Sequence, residues 1–459
     1  MWGDILTNRK GAIGLWLIAA VTYTSFYAPV LYMDDWSQIV EPMTQHTLSW
    51  VDWANRRPLL DAPLQILYQI FGLNISAFYL VAWLVTALAA VQLYYLIRQF
   101  KPDWQLRAWA VAALALVYPA DFSQMWLAHV LHARIGWLLT LVAARCLLTY
   151  LKWRTLGWLA AGTILSALAL LLYEAQLGVF IAFGLLAMVF ARDVPWRTRL
   201  MLLIPLGVNG VYVLWRSVGF RVAGIEDQYL SELTLGVGDL LGRLWLGCQV
   251  LWWSWTEPVR RLLQLETNWL ALLIIVGVIG GLMIVTMRWA GRKSTPVTTN
   301  PAVSAQSDWL TLLIGLGLIV AGYFPTILLY EPNLDGVYSR VNFYTLPGAA
   351  LCLLVIVGAL SRRLARGDVR RWRAGFITAI AALIALGMLV QMWVRHNAAE
   401  AWQEQRSLWA QLFEVAPRLQ PDTLVCFVLT DYGEQTGFAD WWRTPLSAGW
   451  EASAALRLL

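Results

Sequence analysis

Long apolar stretches alternate with short polar ones along almost the whole chain. Runs of about 18 or more mostly apolar residues recur between positions 11 and 394, each long enough to cross about 30 Å of hydrocarbon as an α-helix. The strands of a membrane barrel would instead alternate apolar and polar residues over about ten positions. The pattern predicts an all-α polytopic membrane protein with about eleven transmembrane helices, at 11–31, 75–97, 105–119, 122–150, 156–173, 174–191, 199–218, 267–287, 308–330, 341–361 and 374–394. The segment 235–256, "LGVGDLLGRLWLGCQVLWWSW", is apolar but carries Asp239 and Arg243 and is rich in Gly and Trp.

Charge decides how that segment is read. If it does not span and the N-terminus with Arg9 and Lys10 is cytoplasmic, then "RQFKPDWQLR", "LKWR", "ARDVPWRTR", "RWAGRK" and "SRRLARGDVRRWR" all face the cytoplasm. The inner side then holds 20 of the 34 Lys and Arg but 5 of the 28 Asp and Glu. If it spans, the last two basic loops move outside. Lys and Arg in short loops favour the cytoplasmic side, so 235–256 is expected to be re-entrant or interfacial, with the C-terminus outside. The setting is a cell membrane.

Composition agrees with the class. Hydrophobic residues make up 59% and charged residues 14%, against about 45–50% and about 25% in soluble domains. The 28 Trp and 17 Tyr suit the aromatic belts at membrane interfaces. Cys146, Cys248, Cys352 and Cys426 show no zinc-like or disulfide-framework spacing. "KSTPVTTNPAVSAQSD" reads as a flexible cytoplasmic linker, and no internal repeat is visible. Residues 1–394 are expected to form the membrane domain, with outer loops at about 32–74 and 219–266. Residues 395–459 form a small outward segment packed on the outer face.

Most acids fall outside, several at helix ends. Asp34 and Asp35 in "YMDDW" end the first helix, Asp121 begins the fourth, and Glu174 lies between two spans with almost no loop. A carboxylate at membrane depth is costly and normally faces the bundle interior or a watery cavity. Arg56, Arg57, Arg134, Arg216, Arg221, Arg243 and Arg340 share this outer region. Guanidinium binds phosphate bidentately, although Arg at an interface also snorkels without chemistry. His129 and His132 lie on one helix face at i, i+3. For Asp121, which follows Pro119, the plain alternative is a helix cap. A cavity with these groups would suit a substrate with a lipid tail and an anionic phosphate head.

"LYMDDW" directly after the first helix, "RRPLLDAPLQILYQIFG" later in the same loop and "LLLYE" ending a middle helix together resemble the GT-C superfamily of membrane glycosyltransferases, bacterial members in particular. The resemblance covers nearly the whole chain and implies a GT-C-like bundle. It also implies inverting transfer of a sugar from a polyprenyl-phosphate-linked donor to an acceptor hydroxyl at the non-cytoplasmic face, in the cell envelope. It further implies Asp35 or Asp34 as general base, and Arg340 with Arg56 or Arg57 on the donor phosphate. Glu174, Asp121, His132 and His129 are left to position the acceptor or a divalent metal, which some members use and others do not. The acceptor can be glycan, lipid or protein. Members with protein acceptors often carry Asp-Glu where this chain has Asp-Asp, so protein O-mannosylation is not implied. Two other readings stay open. One is a lipid or solute transporter, which would show inverted repeats and charges at mid-depth. The other is a non-catalytic subunit of a larger membrane complex with partner subunits. Neither involves nucleic acid.

Overall fold

A computed structural model describes residues 2–24, 57–123, 127–222, 236–262, 277, 280–281, 301–334 and 336–415, with only the backbone at some positions, His129 among them. The chain there is helical, with no strand among the described residues. The helices are α1 (Trp2–Thr24), α2 (Ala62–Phe71), α3 (Ile75–Phe100), α4 (Gln105–Val117), α5 (Leu127–Trp153), α6 (Leu156–Leu172), α7 (Leu177–Phe190), α8 (Trp196–Leu200), α9 (Leu203–Val222), α10 (Val237–Leu262), α11 (Pro301–Ile327), α12 (Leu346–Ala365) and α13 (Val369–Val415). Short 3-10 segments cover Glu174–Gln176 and Gly336–Thr345.

Six stretches are long and apolar enough to cross a membrane: Ile75–Phe100, Val130–Trp153, Trp196–Arg216, Asp308–Ile327, Ser339–Ala365 and Val369–His396. Gln105–Val117, Leu156–Leu172 and Glu174–Phe190 are apolar but shorter. The expected total of about eleven goes beyond these six. The span placed at 267–287 lies almost wholly outside the described residues.

Several boundaries differ from expectation. The linker "KSTPVTTNPAVSAQSD" is already helical from Pro301, and the helix placed at 341–361 begins as 3-10 turns and becomes α at Leu346. Pro347 in the first α turn suits that start, since its missing N–H would have had no intrahelical partner. The helix placed at 374–394 runs to Val415 without a break, across the expected domain boundary at 395. Its 47 residues reach about 70 Å at 1.5 Å per residue, more than twice the hydrocarbon thickness. Polar residues from Glu400 to Gln405 did not stop the helix, because Ala, Glu, Gln and Arg are good helix formers and its apolar residues have a surface to bury.

That surface is a second core. The main one joins α1, α3, α4, α11, α12 and α13 through residues such as Leu15, Tyr94, Leu114, Tyr323 and Ile384. The smaller one joins Leu64 and Leu67 of α2, Phe78 and Tyr79 at the start of α3, Leu127 and Leu131 at the start of α5, and Trp409 of the α13 extension. It marks the end of the bundle that carries Glu174, called the site end here. The opposite end carries Lys101, Lys152, Arg154, Arg192, Arg197, Arg363 and Arg366 at or beside helix termini.

Candidate functional site

The site starts from a helix break. Pro119 has no N–H to donate and pushes its predecessor out of the helical region. Tyr118 accordingly sits at φ −58°, ψ 126°. The carbonyls freed by the break find side chains. The Gln391 amide donates to the oxygens of Tyr118 and Asp121 at 3.0 and 3.2 Å. Asn342 donates to the oxygens of Ala120 and Asn333, each at 2.8 Å, and its own Oδ1 lies 2.8 Å from the Tyr323 hydroxyl. The Phe122 N–H donates to Ser339 Oγ at 2.8 Å. Four elements are thereby joined at one level, just below the site end.

Asp121 belongs to this joint. It pairs with Arg134 and accepts from both the N–H and the hydroxyl of Ser123. Both charged side chains are almost fully buried, at 1% and 6% exposure. Sequence placed Asp121 among groups that position an acceptor or metal. The structure instead gives its carboxylate oxygens to Arg134 and Ser123, turning it into a buried structural anion.

Glu174 is arranged differently. α6 ends at Leu172 and α7 begins at Leu177, and a single 3-10 turn reverses the chain between them. Arg57 reaches in from the end of the first long loop and binds the Glu174 carboxylate in the bidentate manner, Nε to Oε2 at 2.8 Å and Nη2 to Oε1 at 2.9 Å. A second guanidinium, Arg216 near the end of α9, stands 3.6 Å from Oε2, too long for a hydrogen bond. These side chains are 18–23% exposed, so the pair is sheltered but not sealed. Burial disfavours the charge on Arg57, but the adjacent Glu174 outweighs it and raises the affinity of the guanidinium for its proton.

Aromatic rings link the two ion pairs. Arg57 lies 4.2 Å from the centre of the Tyr173 ring. Tyr173 stacks on Tyr344 at 6.2 Å, and Tyr344 meets Phe343 edge-on at 4.9 Å. Phe343 in turn underlies Arg134 at 3.8 Å. His132 packs beside Tyr173 with ring centres 5.1 Å apart and is 2% exposed. The Tyr344 hydroxyl lies 3.3 Å from Gln176 Oε1. Gly322 permits this arrangement, since a Cβ there would come within 2.6 Å of the Tyr344 carbonyl oxygen.

No protein-family model matches the chain, and no curated protein is similar to it.

Arg340 stands in the 3-10 segment before α12, with its guanidinium 5.5 Å from the centre of the Tyr330 ring. Arg57, Arg216 and Glu174 are brought together, while His132 is packed into the aromatic chain through Tyr173. Asp34, Asp35 and Arg56 lie outside the described residues, as does the side chain of His129. Among the described residues no three His, Cys, Asp or Glu side chains cluster to hold a metal ion. Arg216 stood out in the sequence only as a cation closing a helix, and its approach to Glu174 depends on how α9 packs against α6. Nothing in the local sequence marks the stacking of Tyr173 and Tyr344, which lie 171 positions apart.

Chemically, two guanidiniums meet one carboxylate beside Tyr173 where helices end. Arg216 has the looser hold on Glu174. Such a group can exchange an internal carboxylate for an external anion, bidentate phosphate above all.

Proposed function

We propose that the protein transfers a sugar from a polyprenyl-phosphate-linked donor to an acceptor hydroxyl at the non-cytoplasmic face of a cell membrane. In this reading the chain crosses the membrane about eleven times, with the basic end in the cytoplasm and the site end outside. The supporting observation is the convergence of Arg57, Arg216 and Glu174 at the end of the loop that carries Asp34 and Asp35.

The roles follow from the chemistry. One carboxylate of the Asp34–Asp35 pair takes the proton from the acceptor hydroxyl, as a general base must in hydrogen-bond reach of about 2.6–3.2 Å. The freed oxygen attacks the anomeric carbon, and the bond from that carbon to the phosphate oxygen breaks. The phosphate leaves with the electron pair and goes from a monoanion to a dianion. Arg57, Arg216 and Arg340 then meet the growing negative charge, which is where preorganised donors accelerate a reaction most. Glu174 holds the guanidinium of Arg57 in place. Purified Asp34→Asn and Asp35→Asn variants, assayed with a polyprenyl-phosphate sugar, test the assignment. One of them is expected to lose transfer by at least about a thousandfold, in line with loss of a general base. Full transfer by both would end the reading.

A further inference from the structure

α10 makes an unusual set of contacts. Arg243 donates to the Ile327 carbonyl at 3.0 Å, at the last residue of α11. One turn on, Gly247 seats directly against Tyr323, and a Cβ there would come within 2.6 Å of the ring. A helix continuing down α11 would next meet residues near 319 and 315. Instead, the Leu251 carbonyl accepts from the Tyr118 hydroxyl at 3.1 Å, and Trp255 meets the Tyr118 ring edge-on at 5.1 Å. Tyr118 is the residue that ends α4. Between Arg243 and Trp255, about 18 Å of helix, α10 therefore passes from the end of α11 to the end of α4.

Its outward face is apolar. Leu241, Trp245, Trp252 and Trp253 are exposed, whereas Val250, Leu251, Ser254 and Trp255 are buried. Exposed apolar residues on α11, including Leu313, Leu316, Val320 and Phe324, continue that surface along a helix apolar enough to span. A helix that spans a membrane turns exposed apolar side chains of this kind to hydrocarbon, and the outward face of α10 adjoins them. Trp is the residue enriched where hydrocarbon meets headgroups, and an amphipathic helix lying in that plane buries its apolar face about 5–10 Å deep.

We propose that α10 is an interfacial helix, with Leu241, Trp245 and Trp252 in the headgroup–hydrocarbon boundary of the leaflet at the site end, and phospholipid as its partner. The consequence is positional. Arg243 lies 3.8 Å from Glu331, in the loop that leads to Arg340, so α10 sets that loop at headgroup depth. A lipid headgroup can then reach the site sideways from the leaflet. This placement is independent of the transferase reading.

The test uses the full chain in lipid nanodiscs, with nitroxide labels placed singly at 241, 245 and 252 and a ruler set at 313, 316, 320 and 324. Collision rates with oxygen and with a water-soluble nickel chelate give depth. The ruler positions should change depth steadily. The three α10 positions should differ by less than about 8 Å, although 241 and 252 are about 16 Å apart along a helix. Depths differing by the full 16 Å would mean a spanning helix and overturn the proposal. Nickel-dominated collisions would mean water on this face, and exclusion of both reagents would mean a second protein chain; either overturns it too. Unmodified protein gives the second measurement. A phospholipid with a diazirine near the glycerol should label peptides covering 241–253, and absence of label there would equally refute the placement.

Discussion

Two arginine–carboxylate pairs lie at opposite ends of one aromatic chain, and they are built for different ends. Arg134 and Asp121 are sealed, with Asp121 also bonded to Ser123 and Arg134 lying on Phe343. Arg57 and Glu174 are partly open, and Glu174 is shared with a second, looser arginine. A carboxylate near a membrane helix end is therefore not in itself a functional signal. What separates the two is whether other charge and solvent can still reach the pair. A sealed pair fixes one arrangement, whereas an open pair with a spare cation can change partners.

Asp121→Asn is the sharpest way to break this contrast. It leaves Arg134 charged, buried and without its counter-ion, and removing one partner of a buried pair costs about 3–5 kcal/mol. Unfolding in mixed micelles should show that loss, and Asp121→Asn/Arg134→Met should recover most of it. A loss no larger than that from opening the Glu174 pair would erase the distinction between sealed and open. Gly322→Ala comes next. Its Cβ would meet backbone at Tyr344, and over-packing costs about 1–3 kcal/mol. Because the Tyr344 stack must shift, the variant should also weaken whatever the Arg57 region binds.

Glu174→Gln should cost less stability, about 1–2 kcal/mol, since the pair is one-fifth exposed and hydrogen bonds to charged groups contribute about 1.5–3 kcal/mol when buried. Its effect on the proposed sugar transfer should be disproportionate, at least tenfold, or about 1.4 kcal/mol in the barrier. Stability and transfer falling in step would instead mark Glu174 as structural, like Asp121. The smallest change is expected from Arg216→Lys, under about 1 kcal/mol in stability. An ammonium cannot bind phosphate bidentately, so any anion affinity of this corner should drop several-fold while the fold persists. Titration with inorganic phosphate, followed by the heat released, checks this.

Much of the architecture was legible in the chain. Apolar run length and the scarcity of charge specify membrane-crossing helices, because hydrocarbon allows few other ways to satisfy a backbone. Glu174 was legible as well, since the apolar runs on either side leave it almost no loop. The α13 extension was not, because a polar stretch of good helix formers gives no stop signal and its apolar partners in α2, α3 and α5 are far away in sequence. The partner of Asp121 was not legible for a related reason. Its spacing from Pro119 shows that a helix breaks there, but not that Arg134, 13 positions on, turns back to neutralise it.

Local energetics of a few consecutive residues therefore settle much of where helices form. Hydrophobic run length and the cost of an unpaired charge act residue by residue and can be summed along the chain. Which arginine meets which carboxylate depends on helix packing between distant segments. Gly322 and Gly247 let backbones and rings approach closely, and the aromatic chain from Arg134 to Arg57 exists only once those helices are side by side. Tertiary packing alone made one acid a sealed structural anion and left the other open beside a spare guanidinium, since desolvation and partner count are properties of the assembled interior.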